Sequence, residues 1–184
     1  MARLIALSGS LRSGSYNTAL ARALAQRAPA GCEVEVVTPA DVPLYDGDLE
    51  AEHGVPKGVE QLKDRIADAD GLILVTPEYN QGVPGVMKNM IDWLSRPPQD
   101  IGRVFGDRAV ALCGASAGAG GTRAAQYALL PTLRALGTRI WSGKTLYVGP
   151  AGRMFDDAGE LVDEDIAKRA DDFIAGFDRY AGGG

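Results

Sequence analysis

Leu72-Ile73-Leu74-Val75-Thr76-Pro77-Glu78-Tyr79-Asn80-Gln81-Gly82-Val83-Pro84-Gly85 is the stretch from which the rest of the chain can be read. Its first four residues are apolar without interruption, the pattern of a strand covered on both faces. Polar and turn-forming residues follow. Pro84 then stands where a proline suits the first turn of a helix, and Val83, Met87, Ile91 and Leu94 make that helix's apolar stripe.

The same sequence of patterns extends in both directions. Leu4 to Leu7 and Ala109 to Cys113 are further apolar runs, each followed by a polar or glycine-rich loop. Glu33 to Thr38 alternates charge with Val34 and Val36, as a strand does, and Arg139 to Val148 offers a last strand. Helical periods lie between them. Asn17 to Arg27 places Leu20 and Leu24 one turn apart, Val59, Leu62 and Ile66 share a face, and Thr122 to Leu136 carries Leu129, Leu133 and Leu136 on one side. Pro131 should kink that helix by clashing with the carbonyl of Tyr127. Ile166, Ala170, Phe173 and Phe177 mark a closing amphipathic helix, whereas Asp41 to Gly58 has so little periodicity that it reads as a long loop. Strand and helix alternating along the whole chain mean an α/β fold with a parallel sheet covered on both sides. Right-handed crossovers make it doubly wound and bring the loops after the first, third and fourth strands together at the carboxyl end of the sheet.

Composition limits the partners. The chain has 184 residues with 19 Lys plus Arg against 24 Asp plus Glu, a net charge of −5 that argues against nucleic acid or an anionic membrane. Hydrophobic residues at 46% and charged residues at 23% exclude disorder as the main state. Residues 1–181 read as a single domain and Gly182-Gly183-Gly184 as a frayed tail. The apolar start turns polar at Ser8, too soon for a signal peptide, and no apolar run approaches the ~20 residues of a membrane span. A reducing cytoplasm is the default location. Two cysteines cannot make a disulfide framework, and the single His53 excludes any site that needs two histidines.

Three loops carry the chemistry. Ser8 to Asn17 holds four serines, Arg12, Asn17 and two glycines between a strand and a helix. A helix start offers free N–H groups, serines add donors, and Arg12 adds a forked cation, so this loop suits a phosphate. It lacks both the Walker lysine motif and the Gly-x-Gly-x-x-Gly of dinucleotide sites, which points to a phosphate monoester. It also reads as an ordinary capping loop with a solvated arginine. Thr76 to Gly85 sets Glu78, Tyr79, Asn80 and Gln81 beside the first loop, a wall suited to a planar, polar-edged heterocycle, or else a tight turn closed by a helix cap. Gly114 to Arg123 leaves room and exposes amides, or is merely a flexible turn.

Taken together, Ser8 to Asn17, Pro77 to Asn89 and Ala115 to Arg123 closely resemble the NADPH-dependent FMN reductase family over roughly residues 3 to 145. Pro77-Glu78-Tyr79-Asn80, continuing through Pro84-Gly85-Val86-Met87-Lys88-Asn89 to Ile91-Asp92-Trp93, looks like its most diagnostic stretch. The resemblance implies a three-layer flavodoxin-like fold with five parallel strands in the order 2-1-3-4-5. It implies FMN as cofactor, with Ser8, Ser10, Arg12, Ser15 and Asn17 at the phosphate end and Tyr16 among the cofactor-binding residues. Pro77, Glu78, Tyr79 and Asn80 would line the isoalloxazine, and Ser116, Gly118 and Gly121 would form the third loop. It further implies NADPH or NADH as reductant in a ping-pong cycle, and a quinone, free flavin, azo dye or metal oxyanion as acceptor. A homodimer or homotetramer is the implied assembly. No proton-transfer residue is assigned, because flavin reduction needs stacking and orientation more than an acid or base.

One rival is an electron carrier, against which Arg12 and the Pro77 to Asn80 stretch count; a second is a redox-silent FMN-binding module, which tight FMN binding without reduction would support. A serine hydrolase would have only His53 as base. Cys113 reads as core, Cys32 has no basic neighbour to activate it, and Trp93 and Trp141 fit either core or subunit contacts. The acidic residues from Asp156 to Asp165 lack calcium-loop spacing and read as a solvated lead-in to the last helix.

Overall fold

Apolar runs become strands and amphipathic periods become helices in the order expected. A computed structural model describes residues 2–183; Gly184, the end of the expected frayed tail, lies outside the described residues. The strand segments are β1 (Ala2–Ser8), β2 (Cys32–Val37), β3 (Gly71–Val75), β4 (Ala109–Ala115), β5 (Arg139–Ile140) and β6 (Leu146–Val148). They form one sheet in the order β2-β1-β3-β4-β5, with β6 also paired to β4. All pairings are parallel, with Ala6 opposite Val36 and Ile73, and Ile73 opposite Ala111. Every residue of β3 is buried, which is what its unbroken apolar run requires.

Helices α1 (Tyr16–Gln26), α2 (Gly47–His53), α3 (Lys57–Ala67), α4 (Gly85–Leu94), α5 (Ile101–Val104), α6 (Arg123–Ala135) and α7 (Glu164–Ala181) fill the connections. Leu20 and Leu24 of α1 pack with Phe173, Ile174 and Phe177 of α7 on one face of the sheet. Val59, Leu62 and Ile66 of α3, Met87 and Ile91 of α4, and Leu129 and Leu133 of α6 cover the other. Each such side chain contributes about 1.5–3 kcal/mol through removal from water. Trp93 is wholly buried in the second layer, while Trp141 is half-buried and meets Phe173 edge-on at 5.1 Å.

The structure differs from the sequence reading in three places. The last strand is interrupted: β5 and β6 occupy the same side of β4, Trp141 N still donates to the Val110 carbonyl at 2.8 Å, and Ser142 to Thr145 leave the sheet. Leu112, at that gap, is the one residue of β4 that is not fully covered. Asp41 to Gly58 is not all loop, because it contains α2 and the start of α3. No α2 residue is buried, so it has no apolar period to read; Asp46 caps it by accepting from Asp48 N at 2.9 Å. Finally, α6 continues through Pro131, which is exposed, where water can replace the lost backbone bond.

Polar contacts bind the α2 segment to the body. Asn89 of α4 accepts from Tyr45 N at 2.8 Å and donates to the Pro43 carbonyl at 2.9 Å, and Trp93 Nε1 donates to the same carbonyl at 2.8 Å. Arg96 Nε and the Tyr45 hydroxyl both donate to Glu50 Oε2 at 2.9 Å. Beneath them the fully buried Lys63 donates to Glu60 at 2.6 Å, Asp100 at 2.6 Å and the Arg96 carbonyl at 2.7 Å. Its three protons are thereby all used.

Candidate functional site

Ser8 pairs with Val75 and Val75 with Cys113, so the chain leaves β1, β3 and β4 side by side at the carboxyl edge. The three departing loops enclose a cleft of about 200 Å³ lined by Ser10, Arg12, Ser15, Tyr16, Asn17, Pro77, Glu78, Tyr79, Ala115, Ser116 and Ala117. Clefts that swallow a whole small ligand run to roughly 300–1,000 Å³. This one has room for one end of such a ligand and opens onto the surface beyond it.

Each pair of loops is tied. Gly9 lets the first loop lie against the second: a Cβ there would meet Met87 Cε at 2.8 Å and Pro77 Cδ at 3.0 Å. The Asn17 amide joins the first loop to the third, donating to the Ala115 carbonyl and accepting from Ala115 N, both at 2.9 Å. Glu78 joins the second loop to α6, its Oε2 accepting from Ala125 N at 3.1 Å. Gly114 sits where these meet, with Thr122 Oγ1 2.1 Å and the Thr76 carbonyl oxygen 2.2 Å from where its Cβ would stand.

The donors at the phosphate end remain available. Ser15 caps α1 by accepting from Asn17 N at 3.2 Å and Thr18 N at 3.3 Å, which leaves its own hydroxyl proton free. Ser10 Oγ accepts from Arg12 N at 3.3 Å. Arg12 donates only to the Gly14 carbonyl, at 3.3 Å, and among the described residues no carboxylate pairs with it. The backbone N–H groups of Ser13, Gly14 and Ser15 likewise find no partner among the described residues. A cation, two hydroxyls and unused amides beside a helix start make an oxyanion seat.

Of the predicted residues, Ser8 lies away from the cleft lining, fully buried with its hydroxyl against Thr18 Oγ1 at 2.9 Å. Asn80, Gly118 and Gly121 also stand off the lining. Asn80 and Gln81 form the tip of a two-residue hairpin, with φ of 51° and 58° and reciprocal bonds between Tyr79 and Gly82. The hairpin holds Tyr79 out at 53% exposure on the rim. The Gly118 and Gly121 carbonyls accept from the Ser116 hydroxyl at 3.0 and 2.7 Å, so they shape the third loop. Ala115 and Ala117 line the cleft without having been singled out, and their small size beside an apolar run was the available signal. Tyr16 stacks on Phe155 at 5.9 Å, backing the first loop.

Other chemistries find no support. His53 is exposed, with Glu52 Oε1 3.7 Å away as its nearest carboxylate contact among the described residues. Burial and then a hydrogen bond to Asp178 push the Cys32 thiol up to about 12, and burial alone pushes Cys113 upward. Among the described residues no cluster of His, Cys, Asp or Glu can hold a metal, and no helix is long and apolar enough to cross a membrane.

Residues 2–152 match the sequence model of NADPH-dependent FMN reductase. The chain belongs to the NADPH-dependent FMN reductase family. It is 40% identical over 162 residues to an NAD(P)H-dependent FMN reductase of Pseudomonas aeruginosa, covering 88% of this chain and 85% of that one. A 2-hydroxy-1,4-benzoquinone reductase of Burkholderia is 39% identical over 173 residues, 94% of this chain and 91% of that protein. Among solved structures, the flavoenzyme NAD(P)H:(acceptor) oxidoreductase FerB of Paracoccus denitrificans superposes with a TM-score of 0.87 at 32% identity, covering 99% and 98% of the two chains.

The cleft fits the family's cofactor. FMN presents one terminal phosphate, and the oxyanion seat offers Arg12, Ser10, Ser15 and the unused amides of Ser13 to Ser15. The walls beside it, Pro77 to Tyr79 on one side and Ala115 to Ala117 on the other, would be the residues to hold the edge of its flat ring.

Proposed function

We infer that this chain is an FMN-dependent NAD(P)H oxidoreductase that uses quinones as acceptors by a ping-pong cycle. The observation that carries the reading is the convergence of an unpaired Arg12 and two serines with the Pro77–Tyr79 wall in one half-open cleft. When bound, FMN supplies hydride acceptance at N5 and returns the electron pair to a second substrate. Arg12, Ser10 and Ser15 hold the phosphate, while Pro77, which lacks an N–H, stiffens the wall on which the ring edge rests. The open surface admits the nicotinamide and the acceptor in turn, and Tyr79 at its rim offers an aromatic face to either. The carboxylate of the lining, Glu78, is engaged by the Ala125 N–H, and the transfer depends on stacking and orientation rather than on an acid or base.

Quinone chemistry is supported by the quinone reductases among the relatives, including one of Escherichia coli at 40% identity over 164 residues. Residues 1–181 acting as one cytoplasmic domain, assembled as a homodimer or homotetramer, complete the reading. The test is spectroscopic. The flavin-loaded protein mixed anaerobically with NADPH or NADH should lose its oxidised flavin band, and a benzoquinone should restore it. Parallel double-reciprocal plots are expected for the two substrates. A flavin band that survives both nicotinamides would sink the reductase reading, and intersecting plots would sink ping-pong.

A further inference from the structure

Helix α6 starts without a cap of its own. Thr122 precedes it, but its side chain makes no capping bond; Thr122 Oγ1 accepts instead from Gln126 Nε2 at 3.0 Å. The first turn of α6 carries no acidic residue. Its third N–H, on the fully buried Ala125, would have neither a side-chain acceptor nor water. The acceptor it has is Glu78 Oε2, 47 positions away in sequence and on a different loop. A carboxylate is also the group that a helix N-terminus favours.

The backbone around Glu78 is fixed from both sides. Thr76 N donates to the Cys113 carbonyl at 2.9 Å and Thr76 Oγ1 to the Pro77 carbonyl at 2.8 Å. On the far side, the Tyr79–Gly82 hairpin closes with two backbone bonds. The carboxylate is therefore presented by a rigid support, while the third loop ends at the turn it holds. We propose that Glu78 is a positioning residue: by capping α6 from the second loop, it fixes the third loop, and with it the Ala115–Ala117 side of the flavin cleft. This deepens the FMN reading and rests on it only for the identity of the ligand.

Hydrogen exchange in the flavin-free protein separates this role from a simple ring contact. In Glu78→Ala the Ala125 amide should exchange at least about tenfold faster, because its buried donor has lost its acceptor. Glu78→Gln keeps an oxygen acceptor and should restore protection. FMN affinity should follow the same order, about tenfold weaker for Glu78→Ala and within about threefold of the parent for Glu78→Gln. Unchanged Ala125 exchange in Glu78→Ala overturns the proposal, as does a Gln variant as impaired as the Ala variant. Faster exchange with unchanged FMN affinity also overturns it, since the cap would then not reach the cleft. If Glu78→Ala does not fold, Glu78→Asp decides: its carboxylate is one methylene short of the Ala125 N–H, so that amide should lose protection, and protection equal to the parent's counts against the cap. Failure to bind any flavin would leave the exchange result standing and overturn only the functional reading.

Discussion

Around Lys63 almost every polar group is consumed, whereas around Arg12 several are left over. Lys63 spends three protons on Glu60, Asp100 and the Arg96 carbonyl, all within 2.7 Å, and Arg103 adds bonds to Asp64 and Asp100. Arg12 has one long bond to a carbonyl and no carboxylate partner among the described residues. The first region holds α3, the Arg96 turn and α5 together; the second leaves its donors without partners among the described residues. The contrast teaches how to tell a structural ion network from a binding seat. Charge alone does not separate them, but the number of unused donors does.

Four experiments test that division. The largest effect is expected from Lys63→Ala, which leaves Asp100, Glu60 and the Arg96 carbonyl without their shared donor. Chemical denaturation should show a loss of about 3 kcal/mol, the scale for breaking a buried pair, with FMN affinity of the folded fraction unchanged. A flavin dissociation constant that rises with it would join the two regions. Arg12→Ala should do the reverse: FMN binding weakens by about 2 kcal/mol, near thirtyfold, while the unfolding midpoint stays put. An unaltered affinity would return Arg12 to a solvated surface role.

A third experiment probes the rim, where Gln81 holds a left-handed backbone that glycine adopts without cost. Gln81→Gly should stabilise the hairpin by about 0.5–1 kcal/mol, part of the strain relief being offset by the freer unfolded chain. A lower melting temperature would show that the Gln81 side chain matters more than its backbone. The smallest effect is pH dependence. The Arg96 hydrogen bond holds Glu50 below the usual carboxylate range, and the Lys63 hydrogen bond does the same for Asp100. Below the ordinary value near 4 the unfolded chain takes up protons more readily than the folded one. This stabilisation is therefore complete above about pH 5 and is lost as pH falls through the depressed values. Thermal melts of Glu50→Gln should show a shallower decline between about pH 5 and 3 than the parent; identical slopes would assign the acid sensitivity elsewhere.

Much of the fold was legible because burial writes itself into sequence as periodicity. The buried β3 run and the α4 stripe of Met87, Ile91 and Leu94 are recovered where they were expected. Helix α2 was not legible, since it buries nothing and is held by Asp46, Glu50 and Tyr45 through polar contacts that leave no period. The interrupted last strand was hidden for the opposite reason: Trp141 is apolar like a strand residue and still donates its backbone N–H to the Val110 carbonyl at 2.8 Å, so nothing in its type marks the break that follows it. At the site, residue types announced Arg12, Ser10, Ser15 and the Pro77 turn. They did not separate lining from support. Asn17 puts its amide oxygen and one amide N–H on Ala115, so it ties two loops while also lining the cleft, whereas Ser8 is locked against Thr18 away from it. Such bonds span up to 98 positions, a distance that local sequence cannot reveal.

Position 114 has a consequence for how this protein can change over generations. A single methyl group there would need the space now held by Thr122 and by the Thr76 backbone. Truncating Thr122 clears only one of the two obstacles, and the Thr76 carbonyl cannot be mutated away. No one-step path leads from Gly114 to another residue without moving the strand beside it. Change is therefore easier at side chains that already face open space, Tyr79 and Ala117 among them, than at the seam between the second and third loops.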